Sequence, residues 1–146
     1  MAPPDFHPAE EELVVRLPGV PAQVSRARGV VTAALGRDHP LLDEAVLLTS
    51  ELATNAVLHT QSGDGGSFTV AVRSRGSLVR VCVEDAGSDG PPCACRTGVY
   101  ATRGRGLPLL EALSHRWGYV RANGANIVWF ELLLVTVPAG WAAEPV

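Results

Sequence analysis

Three short stretches hold the residue types that could do chemistry. In E-L-A-T-N-A-V-L-H (51 to 59), Glu51, Asn55 and His59 recur every fourth residue, a spacing that stacks side chains on one face of a helix. A carboxylate and an amide one turn apart can hold Mg2+ directly or through water, and the carboxylate can take the proton of an attacking hydroxyl. The same spacing also describes the solvent-facing stripe of an amphipathic helix. The second stretch, E-D-A-G (84 to 87), puts Asp85 at the end of an apolar run with Gly87 two residues on. A carboxylate fixed there can accept a hydrogen bond from an exocyclic amine, and glycine lets backbone approach a flat ring. An ordinary strand-to-turn transition would read alike. The third, R-G-R-G-L-P-L-L (103 to 110), has Gly104 and Gly106 just before an apolar helical pattern. Glycines there can bring backbone N–H groups onto phosphate oxygens, which a helix N-terminus also attracts. Arg103 and Arg105 can reach a triphosphate or face water, and a hinge capped by glycine fits the same residues. No Walker A sequence is present, because the chain has no lysine.

Composition limits the setting of this chemistry. The chain has 146 residues, 47% hydrophobic, enough for one two-layer core. Its 12 basic residues, all arginine, against 15 acidic ones leave a charge of -3. The arginines are scattered, so the basic footprint of a nucleic-acid binder is missing. Cys82, Cys93 and Cys95 are an odd set, and C-A-C is too close for half of an ordinary zinc site. The N-terminal stretch has no charged-then-apolar pattern, and no apolar run approaches about 18 residues. A reduced, cytoplasmic, membrane-free protein is expected.

The elements that must position these residues follow from periodicity. Residues 1–11 read as a flexible arm, 12–134 as one domain and 135–146 as a flexible tail. E-L-V-V-R-L (12 to 17) predicts a strand. Val24, Ala27, Val31, Ala34 and Leu35 predict a helix with Pro21 near its first turn. The strongest helix spans about 41 to 59, with Ala45, Leu48, Leu52 and Ala56 inward. Strands at 67 to 73 and 78 to 85 form a hairpin across S-R-G-S. Residues 86 to 103 lack either period and mark a functional loop. A third helix spans 106 to 116, and two strands follow, separated by A-N-G-A-N as a turn. The order predicts an α+β two-layer sandwich: a mixed, mostly antiparallel sheet of about five strands with three helices on one face.

Taken in order, the three stretches resemble the nucleotide-binding boxes of the family containing gyrase, histidine kinases and MutL, the GHKL-type ATPases with a Bergerat fold. Within it, so short a chain looks most like the bacterial anti-sigma-factor serine/threonine kinases of the RsbW and SpoIIAB type. The resemblance covers about residues 12 to 134 and implies ATP and Mg2+ as ligands. Asn55 would then coordinate Mg2+ and Glu51 would be the general base. Asp85 would bind the adenine amino group, with Gly87 beside the purine. Gly104, Arg105, Gly106 and the backbone of Leu107 would hold phosphates under a lid of about 88 to 103, and His59 would support the helix. The family commonly has a Gly-x-Thr step before the final strand, whose hydroxyl helps bind adenine. Ala125, Asn126 and Ile127 stand in that region here, with Asn126 as the candidate substitute.

A sensor kinase needs a phosphoacceptor hairpin before this domain, for which the ten or so residues preceding the first strand leave no room. The resemblance therefore implies a regulator acting on protein partners in trans: a sigma factor and a small antagonist protein phosphorylated on Ser or Thr, with homodimerisation as an option. The alternative is an ATP-dependent protein-binding switch without phosphoryl transfer.

Overall fold

The computed structural model describes residues 11–59, 66–85, 107–122 and 125–135. In chain order these form β1 (Glu11–Pro18), α1 (Gln23–Leu35), α2 (Leu42–His59), β2 (Ser67–Arg75), β3 (Leu78–Asp85), α3 (Leu107–Leu113), β4 (Arg116–Ala122) and β5 (Ala125–Leu133). The strands make one sheet in the order β1-β2-β3-β5-β4. Every pairing is antiparallel. The expected mixed sheet therefore has no parallel neighbours, and the reason lies in the connections. Two helices between β1 and β2 carry the chain up and back. β3 and β4 run parallel to each other, but β5 lies between them and is antiparallel to both.

Alternation along the strands sorts side chains between two faces. On one face Val70, Val72, Val79, Val81, Val128 and Phe130 are all buried, and they meet Ala27 and Val31 of α1, Leu48, Leu52 and Ala56 of α2, and Leu110 of α3. This is the two-layer α+β sandwich that periodicity predicts. The inward stripe of α1 also takes in Val30. Among the described residues no helix is long and apolar enough to cross a membrane.

The other face carries a charged row in register across all five strands: Glu12, Arg73, Arg80, Glu131 and Arg116. Arg73 Nε lies 2.8 Å from Glu12 Oε2, Arg80 Nη1 2.8 Å from Glu131 Oε2, and Arg116 Nε 3.5 Å from Glu131 Oε1. Arg80 and Glu131 are each only 5% exposed, and the Arg80 guanidinium stacks 4.1 Å from the Trp129 ring centroid. Trp129 lies flat over Gly118 opposite it on β4. A Cβ at Gly118 would meet the indole at 2.6 Å, so this position needs a residue without a side chain.

Strand ends differ from the sequence reading by one or two residues, as where β2 runs on to Arg75, and two larger differences flank β4. α3 ends at Leu113 rather than running to Arg116, since the Ser114 hydroxyl donates to the Leu110 carbonyl and the His115 N–H donates to the Glu131 carbonyl at 2.8 Å. That second bond pulls the chain into β4. The segment read as the turn A-N-G-A-N is mostly strand: β4 continues to Ala122 and β5 begins at Ala125. Asn126 thus belongs to a strand, and only residues 123 and 124 connect the two.

Candidate functional site

Asn55 lies on the buried side of α2, 1% exposed, between Leu52 and Ala56 on the same stripe. Glu51, one turn earlier, is half-buried. A polar residue on the inward stripe is unexpected for a merely amphipathic helix, since the buried positions of such a helix are filled by apolar side chains and a buried amide must have its hydrogen bonds supplied. The solvent-stripe reading of this face therefore fails at Asn55. α2 packs against β3, and α3 packs against α2 and β4.

Asp85 ends β3 on the helical face, in alternation with Val79, Val81 and Val83, and is 2% exposed. Its row crosses the sheet as Leu17, Phe68, Asp85, Asn126 and Arg121. The apolar lining of the interlayer thus turns polar at β3, β5 and β4 in that row. Asn126 is 1% exposed. Its Nδ2 lies 3.4 Å from each carboxylate oxygen of Asp85. Its Oδ1 accepts from the Tyr119 hydroxyl at 2.9 Å and from Arg121 Nη1 at 2.7 Å. Four side chains from three strands thus form one hydrogen-bonded cluster, in the same interlayer into which Asn55 points.

A family model described as the histidine kinase-like ATPase domain matches residues 17–132. The chain belongs to that family. Among solved structures, the histidine kinase-like domain described here is similar to the crystal structure of the RsbU and RsbW domains of Rv1364c from Mycobacterium tuberculosis. The likeness has a TM-score of 0.57 at 22% identity and covers 84% of this chain but 32% of that one. At that identity it speaks for the fold alone. No curated protein matches the sequence.

Of the residues that the sequence singles out for this histidine kinase-like ATPase domain, Glu51, Asn55 and Asp85 fall within the described elements. Leu107 is the first residue of α3 and His59 the last of α2. Gly87, Gly104, Arg105, Gly106 and the lid expected over 88 to 103 lie outside the described residues. Among the described residues no group of three or more His, Cys, Asp or Glu side chains could hold a metal by itself. A buried amide oxygen and a neighbouring carboxylate are hard oxygen donors, a set that fits Mg2+ arriving with the oxygens of a nucleotide's phosphates.

The sequence reading missed Tyr119 and Arg121 altogether. The signal was present: Asn123-Gly124 is a strong two-residue hairpin pair, and pairing outward from it sets Arg121 opposite Asn126. Cys82 lies on the opposite face of the sheet from this cluster, paired with Trp129. Burial pushes its thiol up, outweighing the lowering effect of nearby Arg80.

Proposed function

We propose that this histidine kinase-like ATPase domain binds ATP with Mg2+ and acts as an anti-sigma-factor-type regulator, a serine/threonine-protein kinase that phosphorylates a small antagonist protein. The observation that supports the reading is the pairing of a buried Asn55, one turn beyond Glu51 on α2, with a buried Asp85 at the end of the β3 strand against which α2 packs. Similarity to a chain named for RsbU and RsbW domains motivates the choice of partners.

In this account Asp85 accepts a hydrogen bond from the amino group of the base, and Gly87 admits its ring edge. Backbone N–H groups at Gly104, Gly106 and Leu107, with the Arg105 guanidinium, hold phosphate oxygens. The Asn55 amide oxygen would hold Mg2+, which when bound would neutralise phosphate charge. Glu51 takes the proton of the antagonist's hydroxyl as that oxygen bonds to the γ-phosphorus. The bond from that phosphorus to the leaving oxygen breaks, ADP departs, and the phosphate ester stays on the antagonist. The partners, sigma factor and antagonist, place this chemistry in the cytoplasm.

The test is capture of the antagonist followed by a labelled-ATP transfer assay. Glu51→Gln keeps size and hydrogen bonding but removes the base. It should slow transfer by about 10²-fold to 10⁴-fold while changing ATP affinity much less. A wild type that binds ATP and antagonist yet transfers no phosphate over hours would leave the non-catalytic, ATP-dependent binding switch as the function.

A further inference from the structure

The surroundings of Asn126 fix which way round its amide lies. Its Oδ1 accepts from two donors, the Tyr119 hydroxyl at 2.9 Å and Arg121 Nη1 at 2.7 Å. Arginine can only donate. Turning the amide over would set Nδ2 against the guanidinium, donor to donor, and Oδ1 against the Asp85 carboxylate, acceptor to acceptor. The mismatch with Asp85 would lie where Asp85 is 2% and Asn126 1% exposed, so water could not relieve it, while that with the half-buried Arg121 would forfeit a charged hydrogen bond. Tyr119 and Arg121 alternate along β4 and so reach the same face, and Arg121 is directly in register with Asn126.

With the amide fixed, Nδ2 faces Asp85, 3.4 Å from each of its oxygens. One N–H lying between two equidistant oxygens satisfies this long contact, and the amide carries a second hydrogen. A carboxylate accepts several hydrogen bonds at once, so the Asp85 and Asn126 pair can present an acceptor beside a donor. That pattern complements a purine edge with an amino donor beside a ring-nitrogen acceptor, as in adenine. Guanine reverses both, setting a carbonyl oxygen against a carboxylate and an N–H against an N–H. Sites built on buried hydrogen-bonding groups reject such mismatches strongly, because the groups are left unpaired.

We propose that Tyr119 and Arg121 are positioning residues for base selection, acting through Asn126 to make the site specific for an adenine nucleotide. The inference rests on the nucleotide-site reading of Asp85 given above. Tyr119 and Arg121 touch no base in this account; they hold the group that does.

The experiment measures ATP and GTP dissociation constants side by side for wild type, Tyr119→Phe, Arg121→Met, the double variant and Arg121→Lys, with a thermal melt for each. The wild type should prefer ATP. The double variant, free to turn its amide, should lose about tenfold or more of the ATP-to-GTP ratio. Arg121→Lys, which keeps a cationic donor, should retain most of it. If the double variant does not fold, Tyr119→Phe, which removes only a hydroxyl, carries the test with an expected loss of about threefold. A ratio that stays at the wild-type value in the folded variants overturns the inference, as does an equal fall in both affinities, the mark of a purely structural role. A wild type that binds neither nucleotide overturns the nucleotide-site reading instead.

Discussion

Asn55 is the residue on which sequence and structure press hardest. Its four-residue spacing from Glu51 is legible in the sequence, but whether that stripe faces water or the interlayer depends on how α2 rolls against β3. Burial to 1% resolves it. Asn55→Ala should then lower Mg-ATP affinity and phosphoryl transfer together, because an oxygen donor to the ion serves both. Titrations and transfer rates on the same preparation check this; an unchanged Mg dependence would remove Asn55 from the ion's coordination. Asp85 is legible as the polar end of an apolar strand, whereas its contact with Asn126 is not, since that depends on cross-strand register. Asp85→Asn replaces one acceptor oxygen with a donor and should narrow the preference for ATP over GTP in a competition assay. Cys82 offers a separate check. With its thiol pushed up by burial first, the thiolate is scarce at neutral pH, so alkylation should be slower than for an exposed cysteine and should quicken only in alkaline solution. Rates against a small-molecule thiol at several pH values measure it, and equal rates near pH 8 would contradict it.

Elements were the most legible level. Period-two and helical patterns are strong wherever one face is buried, which is why the strands and the long helix stand out in the sequence. The ends are weaker because they depend on tertiary bonds: α3 stops where the His115 N–H finds the Glu131 carbonyl. The charged row on the open face of the sheet was illegible, since its members are far apart in sequence and meet only through register. It gives a sharp prediction. Glu131→Ala leaves the Arg80 charge, 5% exposed, without its carboxylate and should destabilise the fold by about 3–5 kcal/mol. The double change Arg80→Met with Glu131→Leu should be far milder, because a buried pair replaced by apolar groups of similar volume is often neutral. Urea unfolding of the three proteins checks this, and a double variant as unstable as the single one would show the row to matter through something other than its charges. Gly118→Val acts on the same face. It forces the indole of Trp129 off β4 and should cost about 1–3 kcal/mol by overpacking.

At the scale of the molecule, the antiparallel sheet and the helices packed on it leave a polar corner in the interlayer, where Asp85 and Asn126 of the sheet are buried, and Asn55 is buried on α2, which packs against β3. The family follows from the match over residues 17–132; it was readable from three boxes in order, and the fold class from the order of strands and helices. A ligand that binds only the folded state adds about 2.7 kcal/mol of stability at one hundred times its dissociation constant, so Mg-ATP should also raise the unfolding midpoint. The central claim is that this corner binds an adenine nucleotide, and isothermal titration of the purified chain with Mg-ATP tests it most directly. A saturable, one-to-one isotherm is predicted, with a dissociation constant between about 1 μM and 1 mM, corresponding to roughly -8 to -4 kcal/mol, and weakened by Asn55→Ala. No heat with Mg-ATP or Mg-ADP at millimolar concentration, and no thermal shift with either, would contradict it.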